Sequence, residues 1–203
     1  MKTFFLIFPV IFCAFVFFFG FISFSILIKK KPVIVSSKII LILITIALLP
    51  SIFINLMDFK YSGFSSLIQL IIPVMFSFLI IFYLMLLKGI SIYGINDDDF
   101  RKYLFLSLDS LGIKYTEKLN KIHLDELQTD LNIAFQEMLG TGTIKPKNRK
   151  KVNFKSIVKA FKSLIRDNEI VVKKITAYFY LVFSIIMLLT TIVFTYFIFT
   201  KIL

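Results

Sequence analysis

The chain has 203 residues, 58% of them hydrophobic and 26 of them Phe, which exceeds the roughly 45–50% apolar content of an average soluble protein. A single Cys excludes an intramolecular disulfide framework. The formal net charge of +12 is compatible with binding to nucleic acid, with an anionic membrane surface, or with the cationic loops that orient membrane spans. Because the apolar residues fall in uncharged runs, the composition favours a membrane protein.

The first apolar run covers residues 4–28 and contains no charged side chain. As a helix it would be roughly 37 Å long, which is more than the ~30 Å hydrocarbon core of a bilayer. A secretory signal is the alternative, but its apolar core would be only about 7–15 residues long, followed by small residues. Here Lys29, Lys30 and Lys31 follow the run, so the sequence predicts an uncleaved membrane span.

Three further apolar runs are long enough to cross a bilayer, and one long polar stretch separates the last of them from the others. Residues 29–38 are predicted to be a short basic loop. The spans are predicted at residues 4–28, 39–57, 64–87 and 175–200. The resulting organisation is a transmembrane region over residues 1–88, a polar domain over residues 89–174, and the last span within residues 175–203.

The distribution of Lys and Arg predicts the orientation of the spans. With four spans both termini lie on one side, which carries only Lys2, Lys60 and Lys201. The other side carries the four Lys of the first loop and the cations of the polar domain. Cytosolic loops are enriched in Lys and Arg. We therefore expect a multi-pass protein of a cell membrane, with the bacterial inner membrane favoured, both termini outside and residues 89–174 in the cytosol.

Asn55 and Gln69 are the notable polar residues within the predicted spans. In this topology they lie at similar depth on neighbouring antiparallel helices, and amide side chains in lipid seek a partner. They are therefore candidates for an interhelical hydrogen bond, the alternative being that they reach up to interfacial water. The sequence places no ionisable side chain deep in a span, which argues against an ion-coupled transporter.

The polar domain begins with a predicted strand and a helix. Residues 89–95 alternate, with Ile90 and Ile92 on one face. Asn96 is a favourable helix N-cap, the acidic triplet after it favours the first helical turn, and Gly112 suits a left-handed C-terminal position. Because consecutive helical residues point in different directions, the acidic triplet is not expected to bind a metal ion.

The rest of the domain alternates between short strands and turns before a final helix. Strands are predicted over residues 113–117, 121–125 and 131–136, with a short edge strand over residues 143–145 that Pro146 stops. Asn153 is then predicted to cap an amphipathic helix. The fold class is thus an all-α four-helix transmembrane region with a small cytosolic α+β domain, two helices on a mostly antiparallel sheet, inserted between spans 3 and 4.

A run of cations without acidic residues is the sharpest local feature of the domain. It is either a solvated face or a contact for anionic lipid headgroups, which attract nearby bases by about 1 kcal/mol each. Nucleic acid is not expected, because no exposed aromatic residues interleave with the cations for base stacking. The candidate lipid-contact residues are Lys145, Lys147, Arg149, Lys150, Lys151, Lys155, Lys159, Lys162 and Arg166.

The sequence contains no pattern that indicates catalysis or a cofactor. His123 has no predicted Cys or carboxylate partner, and the glycines at 140 and 142 indicate a hairpin turn because no Lys-Ser/Thr pair follows them. No catalytic, cofactor-binding or metal-binding residue is predicted, and an enzyme is not expected. The favoured function is a membrane-anchored interaction or scaffolding module with a cytosolic or membrane protein partner. The alternative is a homo-oligomeric passive pore or lipid-handling protein.

Overall fold

The computed structural model describes residues 7–46, 89–118, 121–147 and 153–202, together with the single helical residues 71, 74, 75, 78, 79 and 82. The helices with described bounds are α1 (Ile7–Lys29), α2 (Ser37–Ile46), α3 (Asp97–Asp109), α4 (Phe154–Asp167) and α5 (Lys174–Phe197), the last followed by a π-helical turn, Ile198–Ile202. The strands are β1 (Val33–Ser36), β2 (Ile90–Tyr93), β3 (Tyr115–Lys118), β4 (Lys121–Leu124), β5 (Thr129–Gln136) and β6 (Thr141–Pro146).

The predicted α+β domain is confirmed. Within the described residues, six strands form one sheet in the order β1-β2-β6-β5-β4-β3, and every neighbouring pair is antiparallel. The predicted helix after Asn96 is present, and Gly112 has the expected positive φ of 66°. Asn96 and Asn153 occupy the N-cap positions of α3 and α4, but neither side chain makes a capping hydrogen bond.

The sheet has one more strand than the sequence predicted, because the interpretation of residues 29–38 as a loop is wrong. Lys30 adopts a left-handed φ of 49° directly after α1, and Pro32 follows, so the helix cannot continue. The chain turns into β1, which pairs with β2 in the register Val33↔Tyr93 to Ser36↔Ile90. A segment from before the second predicted span therefore completes the sheet.

Strand β6 lies in the sheet interior, so the prediction of an edge strand at residues 143–145 is also wrong. It pairs with β2 on one side and with β5 on the other. Pro146 is its last residue, opposite Leu131. Because the Lys147 amide beyond it donates to the Asp130 carbonyl at 2.9 Å, Pro146 falls at a non-hydrogen-bonded pair, where its missing N–H costs no bond to β5.

One face of the sheet carries the hydrophobic core, and both α3 and α4 pack on it as predicted. The fully buried side chains include Phe100, Leu104 and Leu108 of α3, Ile157 and Phe161 of α4, and Ile92, Ile122, Leu124, Leu131 and Ile144 of the sheet. The rings of Phe100 and Phe161 meet edge to face with centroids 6.2 Å apart. This contact joins the two helices at the centre of the core.

The opposite face of β2 is covered by the apolar helices, which explains why all four residues of this strand are buried. The Tyr93 ring meets that of Tyr180 in α5 edge to face at 5.3 Å. At Gly94, with φ of 82°, a Cβ atom would lie only 2.9 Å from the Ile26 side chain of α1. The alternating pattern of β2 therefore predicted its strand conformation but not the burial of its second face.

The start of α5 is held by the turn between β5 and β6. The Thr176 hydroxyl donates to the Leu139 carbonyl at 2.6 Å, and the Lys173 amide donates to the Gly94 carbonyl at 3.1 Å. Lys173 also donates from its ammonium group to the Glu137 carbonyl. The domain is thus fixed to the beginning of α5, as it is to the end of α1.

Two of the described helices are long and apolar enough to cross a membrane, over Phe8–Lys29 and Lys174–Thr200. They run antiparallel. The ring centroids of Phe8 and Phe194 lie 5.6 Å apart, and those of Phe19 and Phe183 lie 5.0 Å apart. The Ser184 hydroxyl donates to the Val16 carbonyl at 3.0 Å. This is an interhelical hydrogen bond of the kind that lipid favours.

A four-span region is not confirmed by the described residues. Helix α2 covers the first part of the span predicted over residues 39–57, and six single helical residues fall within that predicted over residues 64–87. Asn55 and Gln69 lie outside the described residues.

A proline at Val35 should loosen the pairing of β1 with β2. The Ser37 amide donates to the Gly89 carbonyl at 3.1 Å, and hydrogen-bonded pairs alternate along an antiparallel ladder, so Val35 and Ser91 form the next such pair. Val35→Pro removes one ladder donor, which we expect to cost about 1 kcal/mol more than Val35→Ala. Hydrogen exchange of the Ser91 amide, measured by NMR or mass spectrometry, should be correspondingly faster in the proline variant. Equal exchange in both variants would show that β1 does not pair there.

Candidate anion-binding groove

Helix α4 separates apolar from basic side chains because its sequence repeats with helical spacing. Ile157, Phe161 and Ile165 are buried in the core. Lys155, Lys159, Lys162 and Arg166 follow one another at intervals of three or four residues, and all are exposed. The basic stripe predicted from the sequence therefore exists, at the surface of the domain.

One end of this stripe faces the two residues that precede β1, Lys31 and Pro32, across a groove of about 450 Å³. These two residues form the lead-in to β1. Ile34 and Ile165 contribute apolar surface to it, and Ile165 is only 3% exposed. Its basic side chains are Lys31, Lys159, Lys162 and Arg166. The groove thus combines a partly apolar floor with a cationic rim.

Lys31 reaches the groove because β1 pairs with β2. Its ammonium group donates to the carbonyl of Arg166, in the last turn of α4. A cation at this end of a helix interacts favourably with the helix dipole, so Lys31 also helps to close α4. Sequence reasoning treated Lys31 only as a marker of membrane orientation, since nothing in the local pattern connects it with residues 159–166.

The groove is electropositive because none of its lining residues is acidic. Arg166 forms an exposed ion pair with Asp167, with Nε 3.1 Å from Oδ1, which offsets part of its charge. Lys159 and Lys162 make no ion pair with any described residue. These two ammonium groups are therefore the cations most available to an anionic ligand.

The other predicted contact residues do not line the groove. Lys155 lies on the same stripe but nearer the start of α4. Lys145 lies in β6 opposite Asn132, and Lys147 forms an ion pair with Asp130 at 3.1 Å. Arg149, Lys150 and Lys151 lie outside the described residues.

His123 does have a carboxylate partner, contrary to the sequence prediction. It lies opposite Asp130 in the β4–β5 register, with Nδ1 2.7 Å from Oδ1. The hydrogen bonds of Asp130 with His123 and then with Lys147 hold the pKa of this carboxyl group below its ordinary value. The three side chains form a partly exposed cross-strand cluster in which the Asp130 carboxylate already has two hydrogen-bonded partners.

A second cavity, of about 540 Å³, lies between the start of α3 and β5. It is lined by side chains of both charges, among them Asp97, Asp98, Arg101, Glu137 and Lys173. Arg101 is already engaged by Asp97, with Nε 3.1 Å from Oδ2, and by Glu117. The mixture of charges gives this cavity no preference for an anion, so the groove beside α4 is the better candidate site.

No family model matches the chain, and no curated protein and no solved structure matches it. The groove and the two apolar helices are therefore the features of this chain that bear on its function.

Proposed function

We propose that the chain is a multi-pass integral membrane protein whose basic cytosolic α+β domain is a membrane-anchored interaction module. The proposed protein has four spans, of which α1 and α5 are two, and both of its termini lie outside the cell. The domain would present its basic surface to anionic groups next to the membrane, lipid headgroups foremost. A cytosolic or membrane protein partner is compatible with the same module.

The observation that carries this proposal is that the domain incorporates the ends of both apolar helices. One compact unit contains the segments Gly20–Ser37 and Lys88–Val182. The sheet is therefore built directly onto the last turns of α1 and the first turns of α5. Both helices are largely exposed along apolar side chains, such as Phe17 at 76% and Val193 at 68%. Apolar surface of this extent needs a cover, and a bilayer supplies one.

Cysteine labelling in intact cells tests the proposed topology. In a Cys13→Ser background, Ser62→Cys lies between the second and third predicted spans, and Ser110→Cys is exposed at the end of α3. A membrane-impermeant maleimide should label Ser62→Cys in intact cells, and Ser110→Cys only after permeabilisation. Labelling of Ser110→Cys in intact cells would overturn the cytosolic placement of the domain.

The lipid-handling part of the alternative function is supported by the groove, whereas a passive pore receives less support from α5. In this helix Thr190, Thr191 and Thr195 each donate to a carbonyl one turn earlier, at 2.7–2.9 Å. Their hydroxyl donors are thus used within the helix, which leaves only the oxygen lone pairs for permeating water or ions. Oligomerisation around a water-filled path would need polar groups from elsewhere in the chain.

A further inference from the structure

We propose that the groove between α4 and the lead-in to β1 is a binding site for the phosphate-bearing headgroup of an anionic phospholipid. This inference rests on the proposed function, because it takes the ligand from the membrane that the protein is proposed to span. It goes beyond a general attraction between a basic surface and a membrane, since it assigns one site with defined walls.

Charge is the first argument. Phosphate oxygens accept charge-assisted hydrogen bonds from ammonium and guanidinium groups, which are roughly twice as strong as neutral ones. Lys159 and Lys162 are exposed and form no ion pair with any described residue, and Arg166 adds a planar donor group at the same wall. No lining residue is acidic, so the two lysines meet no competing carboxylate within the groove, whereas Arg166 is shared with the neighbouring Asp167.

The floor of the groove is the second argument, and it distinguishes a lipid from a free phosphate ion. Ile34, which is partly buried, presents apolar surface to the groove, and Ile165 packs behind it as a core residue that is 3% exposed. Inorganic phosphate is hydrated on all sides and has no group that benefits from such a floor. A phospholipid does, because its phosphate is esterified to a glycerol that also carries the acyl chains, so apolar methylene groups come close to the phosphate.

The position of the groove is the third argument. Lys31 follows the last residue of α1, Lys29, by two positions, so their Cα atoms are separated by at most about 7 Å of extended chain. If α1 crosses the bilayer, its cationic end lies at the level of the headgroups. A lipid headgroup would therefore be available at the groove without leaving its leaflet.

Titration of the purified full chain in a neutral detergent tests this site. The probes are a short-chain phosphatidylglycerol, a short-chain phosphatidylcholine and inorganic phosphate, and native mass spectrometry counts the bound molecules. We expect one tightly bound phosphatidylglycerol, with at least tenfold weaker binding of phosphatidylcholine and of phosphate. Phosphate that binds as tightly as phosphatidylglycerol would overturn the assignment to a lipid.

The groove variant is Lys159→Gln with Lys162→Gln, and its matched control is Lys118→Gln with Lys121→Gln. The control removes the same charge from exposed lysines at the β3–β4 edge, at the opposite end of the sheet from β1. At about 1 kcal/mol per lysine, the groove variant should bind phosphatidylglycerol about 30-fold more weakly, and the control within about twofold of the unmodified chain. Equal weakening in both variants would show diffuse attraction only, and overturn the site.

The two proposals fail in different experiments. The titration is made in detergent, so its outcome does not depend on which side of the membrane the domain occupies. If the titration contradicts the lipid site while the cysteines are labelled as expected, the proposal of a membrane-anchored module still stands. Labelling of the domain from outside the cell would overturn the proposed function whatever the titration shows.

Discussion

Phe161→Ala is expected to lower the free energy of unfolding of the α+β domain by about 3–5 kcal/mol. The Phe161 side chain is fully buried, and its ring packs edge to face on Phe100. Truncation removes the apolar surface that Phe161 buries and leaves a cavity that the surrounding side chains fill only in part. Because small domains are only marginally stable, a loss of this size would populate open states strongly.

Hydrogen exchange of the full chain in detergent measures this loss without isolating the domain. The most protected amides of β5 and β6 should exchange at least 100-fold faster in Phe161→Ala. Lys155→Ala is the matched control, since Lys155 is exposed on the same helix and its loss should change stability by no more than about 0.5 kcal/mol. A change below 1 kcal/mol for Phe161→Ala would contradict the central position of this side chain in the core.

The elements that follow from local pattern were predicted well. Helix α3 has a periodic apolar face, an acidic first turn and a glycine just past its end, and all three features act within the helix itself. The same holds for α4, whose two stripes are set by spacing alone. The strands β3, β4 and β5 follow one another through short turns, so their antiparallel order also depends on neighbouring residues.

Pairing between strands that lie far apart in the chain could not be predicted from local sequence patterns. Strand β1 has four residues between lysines, and its partner β2 lies more than fifty positions later in the chain. Val33, Ile34 and Val35 are β-branched and favour a strand, but nothing in so short a segment identifies β2 as its partner. The presence of Lys31 in the groove depends on that same pairing, which is why its contact with α4 was missed although the basic stripe was found.

The His123–Asp130 pair was missed for a different reason. Both residues lie in strands that were predicted, or directly next to them, and the turn between the strands is short. Counting outward from the predicted strand ends, residues 125 and 131, would have placed His123 opposite Ile133, whereas the observed register places it opposite Asp130. Strand β5 begins at Thr129, two residues before its predicted start, and an error of this size at a strand end changes every cross-strand partner.

Gly142→Ala is expected to destabilise the domain by about 1–3 kcal/mol, although glycine in a strand is usually the less stable choice. Gly142 lies in β6 between Ile92 and Phe135, with no positive φ that would demand glycine. At such a site Gly→Ala would ordinarily stabilise by about 0.4–1 kcal/mol, through the unfolded chain. The expected effect therefore has the opposite sign from the ordinary one.

The reason is the close approach of Phe100. A Cβ atom on residue 142 would lie 2.7 Å from two atoms of the Phe100 ring, nearer than such atoms can approach. The ring cannot retreat, because it is 1% exposed and lies between Phe135 at 5.6 Å and Phe161 at 6.2 Å. Overpacking of this kind displaces side chains throughout a core.

A double-mutant cycle with Phe100→Leu separates this clash from any backbone effect. Leucine removes the ring edge that meets residue 142, so Gly142→Ala should cost at least 1 kcal/mol less in that background than in the unmodified chain. Unfolding of the four proteins can be followed by circular dichroism or by hydrogen exchange of β6. If Gly142→Ala costs the same in both backgrounds, its effect does not come from Phe100. A favourable coupling would instead show that glycine in this strand is required by the packing of α3 on the sheet.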